Sequence, residues 1–392
     1  MGNIHLIVID GLGVGAQEDA DDYGDEGSNT LGHICAVTGC KLPNFQRLGL
    51  GNIIPLDSVP PVPEPWAAFG KMREVSAGKD STTGHWEISG VKLDRPFPTY
   101  SNGFPEDVID AFCKGIAVDG VLANRPYSGT AVIADYGEEH LRTGKPIVYT
   151  SADSVFQVAC HVDVTPVEKL YEWCRFAREN VMTGKHSVGR VIARPFQGNP
   201  GDFQRISEQR HDFSLNAPVP NLPQTLLDSG LKTYSIGKVI DLFAEKGFTQ
   251  YRRTKSNDEG LAQILNIMSA FRNQSGNFVF TNLIDTDQLF GHRNDPGGYA
   301  SALQVIDRAV PAMLERLNEG DVLIFTGDHG NDPTTKSTDH AREFTPLLVY
   351  PAKACSSTDL GTRSTFRDIA VSVTDYFGIG KVFEGKSFLN RK

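Results

Sequence analysis

A chain of 392 residues with 40% hydrophobic content is long enough for two or three domains and a large core. Its 38 basic against 48 acidic residues, a formal net charge of -10, exclude nucleic acid as a general partner, because no basic surplus exists to displace counterions. No basic and apolar leader opens the sequence and no run approaches the roughly 20 apolar residues of a membrane span, so a soluble, cytoplasmic protein is expected.

The first element is "IHLIVIDGLGVGA", Ile4 to Ala16: an apolar strand ending at Asp10, then glycines that fit G-x-G-x-x-A. That spacing suits either a dinucleotide loop or a strand-end carboxylate beside a tight turn. A dinucleotide loop needs a helix N-terminus facing a pyrophosphate, and the segment that follows, "QEDADDYGDEGSN", is acidic and lacks helical apolar spacing. The carboxylate reading is therefore the better one. "SVPPVPEPW", Ser58 to Trp66, reads as a stiff surface loop.

"GKDSTTGHWE", Gly78 to Glu87, packs hydroxyls just before a helix, and Ser81, Thr82 and Thr83 are each candidates to cap it. His85 lacks partners arranged as in a Ser-His-Asp triad. A metal can activate a threonine such as Thr83 instead.

The pattern changes between 94 and 217. This stretch has its own strands, in "PIVYTSADSVFQVAC" and "VGRVIARPF", and its own helix, "VEKLYEWCRFAREN". An inserted domain over 94–217, with a core domain built from 1–93 and 218–392, explains why the Asp and His runs stop near 87 and resume near 285. The six cysteines form no C-x-x-C pair and read as free thiols.

Beyond the insertion, strand-like runs alternate with helical ones. "KTYSIGK", "GNFVFTNLID", "GDVLIFTGDHG" and "FTPLLVY" are separated by "DEGLAQILNIMSAFRNQ" and "GGYASALQVIDRAVPAMLERLNEG". Such alternation predicts an α/β core with a mainly parallel central sheet flanked by helices, plus the smaller inserted α/β domain. Three runs set aspartate and histidine at strand ends: Asp285, Asp287 and His292; Asp328 and His329; Asp339 and His340. Carboxylates and imidazoles delivered from rigid strand ends are what a divalent cation requires.

"GKDSTTGHWE", "YTSADSV", "VGRVIARPF", "LFGHRNDP", "DHGNDP" and "TDHAREFTPLL" together resemble, in order and over almost the whole chain, the phosphopentomutase family of the alkaline phosphatase superfamily. The resemblance implies an alkaline-phosphatase-like core and a phosphothreonine at Thr83. It implies one metal held by Asp10, Asp328 and His329 and another by Asp287, His292 and His340. It places Asp153, Arg190, Ile192 and Arg205 of the inserted cap around the sugar phosphate. It further implies two manganese ions, replaceable by other divalent ions, and a sugar bisphosphate primer such as glucose 1,6-bisphosphate. The small-molecule substrate would be ribose 1-phosphate or its 2-deoxy form, exchanged with the 5-phosphate through a 1,5-bisphosphate, and no protein partner is implied. Three aspartates and two divalent ions leave a site of about +1, suited to a phosphate even in an acidic protein. The rivals are a phosphatase or phosphodiesterase that admits water, a phosphoglycerate mutase with a serine nucleophile, and a non-catalytic metal binder.

Overall fold

The computed structural model describes residues 1–151 and 154–390. The chain divides into two compact units, Met1–Arg95 with Ala217–Lys392, and Pro96–Asn216. In chain order the strands are β1 (Ile4–Ile9) and β2 (Ala68–Met72) of the first unit, then β3 (Leu122–Pro126), β4 (Ile147–Thr150), β5 (Val155–His161), β6 (Arg190–Gln197), β7 (Gln204–Arg205) and β8 (His211–Ser214) of the second. The first unit then resumes with β9 (Lys232–Ile236), β10 (Gln250–Arg252), β11 (Asn277–Leu283), β12 (Val322–Thr326), β13 (Thr345–Tyr350) and β14 (Asp359–Arg363).

The first unit is built on an eight-stranded sheet in the order β10-β9-β11-β1-β12-β13-β2-β14. It is parallel from β10 to β12, while β13 runs antiparallel to both β12 and β2. β1, β11 and β12 are buried along their whole length, because helices cover both faces of the parallel region. Each accordingly carries a continuous apolar stretch, residues 6–9, 278–280 and 322–325, rather than an alternating one.

Flanking helices follow from their apolar spacing and caps. Helix Pro296–Leu314 buries Tyr299, Leu303, Ile306, Val310 and Met313, one stripe at three- and four-residue intervals, and Asp295 caps it by accepting from Gly298 N. Helix Asn257–Ala270 is capped by Ser256 and turns Leu261, Ile264 and Met268 inward.

In the second unit the sheet order is β3-β4-β5-β6-β7, with β8 also on β6. Period-two alternation splits its side chains between two apolar clusters. Phe156, Val158 and Cys160 of β5 join helices Glu106–Ile116 and Val167–Phe176 on one face, whereas Ala159 and, from β4, Ile147 and Tyr149 pack with Val132 and Ile133 on the other.

Candidate metal and phosphoryl-transfer site

Sheet register brings the first unit's functional residues to one edge. Ile9 of β1 is level with Leu283 of β11, and Val8 with Thr326 of β12, so Asp10, the Asp285–Asp287 turn and Asp328 leave three adjacent parallel strands side by side. β13 enters from the opposite direction, which carries His340 to the same edge. β2 and β9 also end there, delivering the segment that leads to Thr83 and the lysine Lys238. Ligands in α/β sheets collect beyond such carboxyl ends.

Asp10, Asp328 and His329 are fully buried and close enough to share one cation. His329 Nε2 lies 3.4 Å from Asp10 Oδ1 and 3.3 Å from Asp328 Oδ2. Asp287, His329 and His340 form a second group of the same kind. His292 approaches Asp287 Oδ2 at 3.2 Å through Nε2, and its ring centroid is 4.9 Å from that of His340. All six expected ligands thus meet at one edge, with His329 bridging the two groups.

The donor set fits divalent cations. Gly330 O and Thr338 O lie 3.0 and 2.7 Å from Nδ1 of His329 and His292, which assigns the proton to Nδ1 and turns each Nε2 toward carboxylates. Asp10 Oδ1 and Asp328 Oδ2 are buried without a hydrogen bond. Such a cluster demands positive charge. Burial disfavours the imidazolium of His329, but Asp328, Asp10 and Asp287 outweigh it and raise its pKa to about 10. His292 is raised to about 9, chiefly by its bond to Asp287. Burial opposes ionisation of Asp287 too, yet His340 and His292 hold its carboxyl well below the usual range.

Thr83 is buried in helix Ser81–Ile88, which the expected caps do not start. Asp80 is the cap instead: its carboxylate accepts from Thr82 N and Thr83 N, at 3.0 and 3.1 Å, and from Thr83 Oγ1 at 2.5 Å. An aspartate satisfies two amides of the first turn and frees the three hydroxyl residues for other work. Ser81 Oγ accepts from Lys238 Nζ at 2.9 Å and lies 3.1 Å from His329 Nε2. Gly84 packs directly on the Asp328 backbone.

Residues near the ligands have supporting roles. His85, buried against Phe280, lies 2.8 Å from Ser81 O and 3.2 Å from Asp328 Oδ2. Asp285 is not among the ligands; it exchanges hydrogen bonds with Asn257 at the start of helix Asn257–Ala270. Asp339 points to Lys79, 3.7 Å away. Gly11, at φ 75, turns the chain immediately after Asp10 and donates its amide to Asp328 Oδ1, so the glycines of the opening motif serve the carboxylate cluster.

Sequence reasoning missed Lys238 and Arg342. Lys238 forms an ion pair with Asp10. Burial would lower its pKa, but Asp10, Asp328 and Asp287 raise it. Arg342 donates to Ser76 O, Gly78 O and Glu74 O, clamping the loop that leads to Thr83. A lysine directly after the strand-ending glycine in "KTYSIGK" was the available signal for the first; backbone carbonyls leave none for the second.

In the second unit Arg190 lies 3.3 Å from Asp212, which also pairs with Arg210 at 2.7 Å. Ile192 is buried on β6 two residues beyond Arg190, on the same face, and Arg205 is exposed on β7. Asp153 lies outside the described residues.

A family model described as the metalloenzyme superfamily matches residues 2–381. The fold and the carboxylate–imidazole cluster therefore belong to a metalloenzyme of alkaline-phosphatase-like architecture that uses divalent metal. The chain is 50% identical to a phosphopentomutase of Caldanaerobacter subterraneus over 384 residues, 98% of this chain and 96% of the relative. It is 51% identical to one of Acetivibrio thermocellus over 389 residues, 98% of each. It belongs to the phosphopentomutase family and is an isomerase acting on pentose phosphates. A solved protein of Pyrococcus horikoshii, 16% identical, shares the fold at a TM-score of 0.50, over 98% of this chain and 99% of that one. No helix among the described residues is long and apolar enough to cross a membrane.

Proposed function

We propose that the isomerisation runs through phosphorylated Thr83, which donates its phosphoryl group to ribose 1-phosphate or ribose 5-phosphate. The sugar 1,5-bisphosphate so formed returns its other phosphoryl group to Thr83. The 2-deoxy sugar is a second substrate of the same kind, and a bisphosphate such as glucose 1,6-bisphosphate primes the threonine. Asp10, Asp328 and His329 hold one metal and Asp287, His292 and His340 the other, both manganese; when bound they stabilise charge on the attacking and leaving oxygens of an in-line displacement.

The seating of Thr83 carries this reading. Its hydroxyl donates to Asp80, which thereby holds it in place and can accept its proton, and Gly84 fixes the helix against Asp328. Lys238, beside Ser81 and Asp10, adds a positive charge for the incoming phosphate. Asp153, Arg190, Ile192 and Arg205 of the second unit are the residues we assign to the sugar phosphate, and a mutase of this kind must keep water from its phosphothreonine. Six free cysteines support a cytoplasmic location.

Incubating the purified protein with ribose 1-phosphate, manganese and primer, then separating ribose 5-phosphate from free phosphate, distinguishes transfer from hydrolysis. Peptide mass spectrometry on the primed protein should locate the phosphate on Thr83. Phosphate on Ser81 or Thr82, or full activity in Thr83→Ala, would sink the mechanism.

A further inference from the structure

Around Arg205 the second unit carries further donors that no step above uses. β3 and β4 are parallel, with Pro126 opposite Thr150, and helix Ala131–Thr143 starts just past the carboxyl end of β3. Ser128 opens its first turn: Oγ accepts from Ala131 N at 3.2 Å and the carbonyl from Val132 N at 3.0 Å. The amides of Gly129 and Thr130, in the same turn, meet no acceptor among the described residues. Two N–H groups at the positive end of a 13-residue helix are thus left over.

A second and independent observation lies at the end of β4. Tyr149 is 1% exposed, and its hydroxyl is buried with no hydrogen-bond partner. Buried phenols ordinarily find one. A Cβ on Gly129 would stand 3.0 Å from that hydroxyl and 3.4 Å from Arg205 Nη1, so helix start, phenol and guanidinium converge on the space a glycine leaves open. Arg205 is exposed and makes no ion pair with any described residue. Arg194 and Arg210 add positive charge around the same hydroxyl. The nearby carboxylate, Asp212, is already engaged by Arg210 and Arg190. In a chain of net charge -10, so local a surplus of guanidinium marks an anion site.

We propose that the amides of Gly129 and Thr130, the Tyr149 hydroxyl and Arg205 form a cradle for the phosphate monoester of a sugar phosphate. The identity of the ligand rests on the sugar-phosphate reading above; the cradle adds the donors that accompany Arg205. Two amides, one hydroxyl and a guanidinium fork match the three terminal oxygens of a phosphate dianion better than the two of a carboxylate.

Gly129→Ala and Tyr149→Phe, each made in metal-loaded Thr83→Ala protein so that no turnover occurs, test this by calorimetric titration with ribose 5-phosphate. Gly129 has no positive φ, and alanine favours a first helical turn, so the added methyl fills the cradle without opposing the fold. Affinity for ribose 5-phosphate should fall about tenfold in each variant, the scale of one lost bond to a charged group, with metal content and affinity for free ribose unchanged. Unaltered ribose 5-phosphate affinity in both variants would overturn the cradle, and so would an equal loss of affinity for free ribose. Because Thr83 is absent, a failure of the phosphothreonine mechanism would leave this result standing.

Discussion

Gly84 approaches Asp328 so closely that a Cβ on it would stand 2.1 Å from the Asp328 carbonyl oxygen. The helix that carries Thr83 and the loop that carries Asp328 are therefore in backbone contact, and the fixed distance between them depends on a missing side chain. Gly84→Ala must push them apart. Since a misplacement of about 1 Å at a reacting centre costs on the order of 100-fold, mutase activity should fall by about that factor while the circular dichroism spectrum of the fold is retained. Activity near that of the parent would mean that the helix tolerates displacement and that Thr83 is not held for in-line attack.

The raised histidines predict how protons and metal compete. In metal-free protein the pKa of His329 is about 10 and that of His292 about 9, both above the ordinary 6.5. Stability from their imidazolium–carboxylate pairs is fully present below the ordinary value and is lost as pH rises through 9 and then 10. A bound cation must displace those protons, so metal affinity should increase with pH over the same interval. Thermal melts of chelator-treated protein should fall in Tm across this range, while titrated manganese binds more tightly. A metal affinity indifferent to pH between neutrality and the His292 pKa would contradict the assignment of both imidazoles as ligands.

His340→Ala and Asp285→Asn separate ligand from neighbour. His340 Nε2 lies 3.6 Å from Asp287 Oδ1 within the second metal group, whereas Asp285 serves the start of a helix through Asn257. The first variant should lose one metal equivalent and nearly all activity. The second should keep its metal and lose about 1 kcal/mol of stability, the usual contribution of such a hydrogen bond. Elemental analysis of both folded proteins checks this, and equal metal loss would mean that the wrong aspartate of "LIDTDQ" has been chosen.

Legibility in the sequence followed burial and distance. β1, β11 and β12 could be read because both faces are covered and each carries a continuous apolar stretch. β10 and β14, at the sheet edges, are short or half-exposed and carry no such run. The carboxylates and imidazoles that gather at the sheet edge were visible as Asp and His at strand ends. Asp80 was hidden among hydroxyl residues equally able to cap, and Lys238 gains its meaning from Ser81, 157 residues away. Arg342 is harder still, because it holds carbonyls that every residue possesses.

Arg190 should govern the fate of the phosphoryl group. Its contact with Asp212 is 3.3 Å, while Arg210 grips the same carboxylate through two bonds of 2.7 Å, so Arg190→Ala leaves Asp212 paired and the second unit folded. Both side chains are half-buried, but Asp212 keeps its two bonds to Arg210, so Tm should fall only slightly. If Arg190 binds the sugar phosphate, the variant should bind ribose 1-phosphate more weakly at unchanged metal content, because a guanidinium fork is lost from a dianion. On the proposed mechanism a poorly held sugar also leaves phosphorylated Thr83 open to water for longer. The ratio of free phosphate to ribose 5-phosphate, measured at equal metal occupancy, should therefore rise. An unchanged ratio with unchanged apparent affinity would remove Arg190 from the substrate site and leave it a structural role that includes its pairing with Asp212.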